Sequence, residues 1–121
     1  MKYLTAKETT RIRKDSQEKN LTEIMDYLQD NLGALELFFA LNCKEGAADQ
    51  AIELRARALY ECCRLILDST GRQDLALSWL FSSFIASSRG DRCPVQALQN
   101  AKDSDELLWI AGSVKNFLWG S

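Results

Sequence analysis

The feature that most constrains the fold is a long run from Asp49 to Asp68 in which charged and apolar residues occupy opposite sides. Both sets recur every three or four positions, which is the period of an α-helix, so the run predicts a long amphipathic helix. The apolar side comprises Ile52, Ala56, Leu59, Cys63 and Ile66. The charged stripe comprises Glu53, Arg57, Glu61, Arg64 and Asp68. This stripe is most simply a solvated face, and a partner surface is the alternative.

Little in the rest of the chain interrupts a helix, because its 121 residues include one proline and six glycines. No stretch alternates apolar and polar residues over a strand length with β-branched content. The length corresponds to one domain that can bury a core without disulfides or metals. We therefore predict an all-α fold, a compact bundle of about six helices.

The N-terminal part has two helix-start patterns. Thr5-x-x-Glu8 resembles a capping box and predicts a largely polar first helix to about Lys19, with few apolar anchors and weak packing. Asn20 to Glu23 repeats the pattern and opens a second helix, which Gly33 closes. Residues 1–20 hold six basic and three acidic side chains. They form either a solvated first helix or an arm that contacts an acidic partner.

The next run, Ala34 to Cys43, is apolar nearly all round and predicts the most buried helix. Together with the preceding helix it has the outline of a helix-turn-helix, so the N-terminal part is interpreted as a degenerate form of that motif. A recognition helix needs Arg, Lys, Asn or Gln side chains that reach bases and phosphates. Since this run offers only Glu36 and Asn42, with Lys44 directly after it, DNA binding through residues 34–43 is not expected.

After the long helix, Gly71 fits a left-handed helix end, and a dense apolar helix around Trp79 follows. Serines and Gly90 predict a polar loop, after which Pro94 starts a short helix. An acidic start at residues 103–106 opens the last helix. Its predicted inward side comprises Leu107, Ile110, Ala111, Val114, Phe117 and Leu118. Trp109 lies off that side, and residues 119–121 are predicted to follow the helix end.

No pattern for catalysis is present. The chain has no histidine, no glycine-rich phosphate loop and no zinc-ligand spacing. The four cysteines, Cys43, Cys62, Cys63 and Cys93, are predicted to be reduced and mostly buried. Helix-core positions predict raised pKa values for Cys43, Cys62 and Cys63. We expect neither an enzyme nor a bound cofactor or metal. Without a signal peptide or a membrane-length apolar run, we also expect a cytoplasmic protein with no membrane partner.

From about Ala47 onward the order of features resembles the Xre/MbcA/ParS family of antitoxins. The resemblance lies in Gly71, then Ala76-Leu77-Ser78-Trp79-Leu80, then Arg89-Gly90-Asp91-Arg92-Cys93-Pro94, and then a last helix from Leu107 to Gly120. It implies two parts, residues 1–46 with the degenerate helix-turn-helix and residues 47–121 with the toxin-binding region, packed as one unit.

The resemblance further implies that the chain binds and neutralises a toxin, commonly a RES-domain enzyme that consumes NAD, by covering its active site. The candidate partner-binding residues are Trp109, Lys115, Trp119, Gly120 and Ser121. Exposed aromatic side chains near a chain end are good anchors because they bury much area at little entropic cost. The alternatives are another small helical interaction protein (an immunity protein, chaperone or adaptor) and a DNA-binding regulator, and self-association is also open.

Overall fold

A computed structural model describes residues 3–42, 49–82, 93–101 and 104–119 of the chain. These residues form seven helices and contain no strand, which confirms the all-α prediction with one helix more than the approximate count. The helices are α1 (Ala6–Glu18), α2 (Leu21–Leu32), α3 (Ala34–Ala40), α4 (Asp49–Thr70), α5 (Gln73–Ser82), α6 (Pro94–Asn100) and α7 (Ser104–Trp119).

Helix α4 is the element around which the others pack. Its 22 residues span about 33 Å, and α1, α2, α5, α6 and α7 all contact it. Five successive residues near its middle, from Leu59 to Cys63, are buried, so the helix is covered on more than one side. The predicted apolar side is confirmed, with Ala56, Leu59, Cys63 and Ile66 in the core and Ile52 packed at its edge.

The middle of the charged stripe of α4 is covered by α1, so its interpretation as a solvated face was wrong for Arg57, Glu61 and Arg64. The side chains at its two ends, Glu53 and Asp68, are 42% and 40% exposed. Glu61 is only 7% exposed, and its carboxylate accepts a hydrogen bond from Arg13 Nε at 3.1 Å. On the next turn of α4, the Arg64 guanidinium lies 3.3 Å from Asp15. The physical reason is complementarity, because α1 has opposite charges at the positions that face the stripe.

Arg57 fixes the carboxyl end of α1. Its Nη1 donates to the carbonyl oxygens of Ser16, Gln17 and Lys19 at 3.2, 3.3 and 2.7 Å, and its Nη2 donates to Glu53. The last carbonyls of a helix have no partner within the helix, and a guanidinium satisfies several of them at once. The prediction that α1 is weakly packed was therefore wrong, since polar contacts join Ile12 in attaching it to α4.

Both predicted N-terminal caps are confirmed. The Thr5 hydroxyl accepts from the Glu8 amide at 3.1 Å, and the Asn20 side chain accepts from the Glu23 amide at 2.9 Å. Gly33, with φ of +96°, ends α2 and starts α3. This single-residue joint produces the outline of the helix-turn-helix.

The prediction that the run from Ala34 holds the most buried helix was wrong. Only Leu37 and Ala40 within α3 are buried, and they face α2 and α6. Leu35, Phe38 and Phe39 point away from both helices and are exposed. A seven-residue helix that packs on one side cannot bury a sequence that is apolar all round.

The turn between α4 and α5 contains the predicted left-handed glycine. Gly71 has φ of +68°, its amide donates to the Leu67 carbonyl at 2.8 Å, and α5 begins two residues later. This left-handed conformation ends α4. Trp79 on α5 is 2% exposed and belongs to the core. Pro94 is buried at the first position of α6, and the Cys93 thiol donates to the Leu80 carbonyl at 3.1 Å.

The last helix differs from its prediction at two residues. Trp119 is the final residue of α7 and does not follow its end, while Phe117 is 38% exposed although an inward position was expected. The other five predicted inward residues of α7 are buried.

Several predictions lie outside the described residues: the positions of Cys43 and Lys44, the loop at 83–92 with Gly90, the cap at Asp103, and residues 120–121. No helix in the described ranges is long and apolar enough to cross a membrane.

We expect Trp79→Ala to destabilise the protein by about 3–5 kcal/mol, because the change removes a fully buried indole and leaves a cavity. That loss is a large part of the roughly 5–15 kcal/mol typical of a domain. Urea unfolding followed by circular dichroism measures it. Trp109→Ala is the control, since this indole is 40% exposed and should cost clearly less. Equal losses would contradict the placement of Trp79 in the core.

We expect Arg57→Lys to cost about 1–2 kcal/mol, because the guanidinium binds the α1 carbonyls through Nη1 and Glu53 through Nη2 at the same time, and a single ammonium nitrogen lacks this fork. Arg72→Lys is a matched control, because Arg72 pairs with Asp74 on the surface, where ion pairs contribute roughly 0–1 kcal/mol. Urea unfolding compares the two variants. A loss at Arg57 no larger than the loss at Arg72 would show that the attachment of α1 does not depend on this contact.

Candidate interaction surfaces

Helices α3 and α7 each present adjacent large apolar side chains to solvent. The α7 surface is the outer face of α7, and it consists of Leu108, Trp109, Gly112 and Lys115. The α3 surface is the outer face of α3 with the adjoining edge of α6, and it consists of Ala34, Leu35, Phe38, Phe39, Asn42, Gln99 and Asn100. Single exposed apolar residues are common, but adjacent ones on a rigid helix mark sites of interaction.

The α7 surface is held in place by the opposite side of the same helix. Ile110 and Val114 are buried, and α7 packs along α4. Leu108 and Trp109 are 44% and 40% exposed. One turn further lies Gly112, where a Cβ atom would meet nothing within 4 Å, and one turn beyond that lies the exposed Lys115. Asp105, one turn before Leu108, is also exposed, so the apolar part of the surface lies between a negative charge at Asp105 and a positive charge at Lys115.

The structure brings two of the five predicted site residues together. Trp109 and Lys115 both lie on the α7 surface. Trp119 lies ten residues after Trp109, about 15 Å along the helix axis, and belongs to a different environment. Gly120 and Ser121 are outside the described residues.

The indole of Trp119 is engaged within the chain. It is half-buried, packs against the core and stacks on Tyr3, with ring centroids 5.1 Å apart and planes at 18°. Its Nε1 is buried and has no acceptor among the described residues. The stack joins the N-terminal segment to the end of α7, so this side chain contributes to the fold.

Leu108 was missed as a site residue, although the sequence contained a signal for it. Its spacing of four and seven residues from Gly112 and Lys115 places all three on one side of a helix. The apolar side chains of an amphipathic helix are expected to face inward, so a leucine on the side opposite the core indicates a contact outside the bundle.

The α3 surface is the more exposed of the two. Leu35, Phe38 and Phe39 are 83%, 63% and 57% exposed. Their spacing, continued by Asn42, places them on one face of α3. They border an open groove of about 630 Å³ that Gln99 and Asn100 close on the side of α6.

Two contacts hold the α3 surface in shape. The Gln99 side-chain amide donates to the Phe39 carbonyl at 2.6 Å, which ties α6 to α3. The Phe39 ring stacks on Phe81 of α5 with centroids 6.2 Å apart. None of the described residues that line the groove is charged. The surface thus has an apolar centre and an uncharged polar rim, which is the composition of a protein interface.

Helix α3 is the second helix of the degenerate helix-turn-helix, and it lacks the groups that read DNA. Leu35, Phe38 and Phe39 point outward, and none of them offers a hydrogen-bond donor or acceptor to a base edge. The exposed basic side chains of Lys7, Arg11 and Lys14 are on α1 instead. It stays a prediction that residues 34–43 bind no specific DNA sequence. The exposed apolar side chains of α3 support this prediction.

The buried thiols are poor nucleophiles. Burial raises the pKa of the Cys63 thiol to about 12 and, with Cys63 and Glu61 nearby, also raises the pKa of Cys62 well above its ordinary value. The reactive form is the thiolate, which is scarce at neutral pH under these conditions. Within the described ranges no group of three His, Cys, Asp or Glu side chains could hold a metal ion.

Comparisons with protein-family models, with curated proteins and with solved structures found no match for this chain. The resemblance to the Xre/MbcA/ParS antitoxins therefore rests on the residues quoted above.

Proposed function

We propose that the protein is a non-catalytic binding protein of the antitoxin kind, which neutralises a toxin by docking the α7 surface over the toxin's active site. The observation that carries this proposal is the exposure of Leu108 and Trp109 on a helix whose other side is fixed in the core. A rigid helix that presents an apolar anchor pays little entropy on binding. The resemblance to the antitoxin family places its toxin-binding region in this part of the chain.

The exposed part of Trp109 can supply a substantial share of the binding free energy. Taking about 250 Å² for a whole tryptophan side chain, the 40% that is exposed corresponds to about 100 Å². Burial of that area is worth about 2.5 kcal/mol at 25 cal/mol per Å². Tryptophan is also enriched among the few interface residues that dominate affinity. One such side chain beside Leu108 and an open space at Gly112 makes a compact anchor site.

The charge distribution supports an enzyme that handles a dinucleotide as the toxin. After residue 20 the chain holds nine basic and fourteen acidic side chains, so its main body is acidic. A cleft that binds the phosphates of NAD is positively charged, and an acidic protein is attracted to it. The resemblance to the antitoxin family is what names a RES-domain NAD-consuming enzyme as the partner class, and the acidic main body is compatible with it. An immunity protein, chaperone or adaptor could use the same surface toward another partner.

Trp119 is left out of the proposed docking surface, because its indole already stacks on Tyr3. The assignment of Trp119, Gly120 and Ser121 to partner binding stays a prediction. The proposal therefore concentrates on Trp109 and Lys115 from the sequence-based set, with Leu108 added from the structure.

We expect Trp109→Ala to weaken inhibition of a RES-domain NAD-consuming partner enzyme at least about tenfold, which corresponds to about 1.4 kcal/mol. Helix content should be unchanged, because the side chain lies outside the core. The measurement is the rate of NAD consumption by the toxin at increasing concentrations of the protein.

The matched control is Leu54→Ala, which truncates an exposed apolar side chain on α4. It should leave inhibition at the wild-type level. Wild-type inhibition by Trp109→Ala would contradict docking through the α7 surface, and a complete failure of the wild-type protein to inhibit or bind the enzyme would contradict the proposed partner class.

A further inference from the structure

We propose that the α3 surface is the interface of a symmetric dimer of this chain. The proposal is independent of the toxin proposal, because it concerns a different helix and a different side of the bundle. Helices α3 and α7 are separated by α6, which packs against both. A second copy can therefore cover α3 while the α7 surface stays accessible.

The exposure of the apolar side chains on the α3 surface favours association with a partner. Leu35, Phe38 and Phe39 project from one face of α3 with more than half of each side chain in water. Three adjacent large apolar side chains on a folded protein promote association, and they are avoided on surfaces that have no partner. A copy of the same chain is the one partner that is present whenever the protein is present.

The lack of charge in the α3 surface also favours contact with a second copy. A two-fold axis brings each residue of an interface close to its own copy, so any charged residue near the axis meets a like charge. The groove lining contains no charged residue within the described part of the chain. The charged residue of α3, Glu36, lies to the flank of the row formed by Leu35, Phe38 and Phe39. The surface can therefore face itself without repulsion.

The polar rim of the α3 surface can pair with the same rim on a second copy. Asn42, Gln99 and Asn100 carry amides, and an amide has both donors and acceptors. Gln99 donates one N–H to the Phe39 carbonyl and Asn100 donates one to the Gln96 carbonyl. Each amide also carries a second N–H donor and an acceptor oxygen, and Asn42 adds a third amide to the rim.

The area is sufficient for a stable contact once the rim is included. Taking about 200 Å² for each large side chain, the exposed parts of Leu35, Phe38 and Phe39 amount to roughly 400 Å² per copy. Two copies then bury roughly 800 Å² from these side chains alone. The four remaining lining residues raise the total toward about 1,200 Å², the lower end of the range for specific interfaces.

The test is the molar mass of the full chain, measured by analytical ultracentrifugation over a wide range of protein concentrations. The wild-type protein should sediment as a dimer, with twice the 13.7 kDa of one chain. Leu35→Lys and Phe38→Lys each place a charge opposite its own copy and should weaken dimerisation at least about tenfold. Circular dichroism should show unchanged helix content for both variants.

Leu54→Lys is the matched control, because it makes the same change at an exposed leucine on α4 and should leave the dimer intact. If Phe38→Lys fails to fold, Leu35→Lys decides, since its side chain is the most exposed of the three and supports no core packing. A monomeric wild-type protein at every concentration would overturn the proposal. Intact dimers of Leu35→Lys and Phe38→Lys, or a mass that rises beyond the dimer with concentration, would overturn it as well.

Discussion

The fold depends on the packing of α4, which is covered by apolar helices on one side and by a polar helix on the other. Its apolar side meets α7 and the core around Trp79, where burial drives folding. Its charged side meets α1 through matched ion pairs and the contact of Arg57 with the end of that helix. Without either set of contacts, one side of α4 would no longer be covered by neighbouring helices.

This arrangement explains which surfaces remain for partners. The middle of the charged stripe of α4, a candidate partner surface in the sequence, is occupied by α1 and is not free. Helices α3 and α7 pack at the outside of the bundle, and each has one side without a neighbouring helix among those described. Large apolar side chains are exposed on these outer sides, which is why binding is proposed there, of a toxin at Trp109 and of a second copy at Phe38.

The sequence predicted local features well because they depend on few residues. The caps at Thr5 and Asn20, the left-handed Gly71 and the buried Trp79 all follow from local propensity or from burial of one large side chain. Two features required knowledge of neighbours. Whether the Arg57 stripe faces water depends on α1, more than thirty residues away in the chain, and whether Phe38 is buried depends on how many helices surround α3. Periodicity identifies a face but not what covers it.

Native-state hydrogen exchange of α1 tests most directly whether the charged side of α4 is an interior surface. A detached helix of 13 mostly polar residues would be largely unfolded in water, so its amides would exchange at nearly unprotected rates. The contacts with Arg57, Glu61 and Arg64 predict instead that amides from Ile12 to Ser16 are strongly protected, together with those of α4. Fast exchange throughout α1 while α4 stays protected would contradict the account.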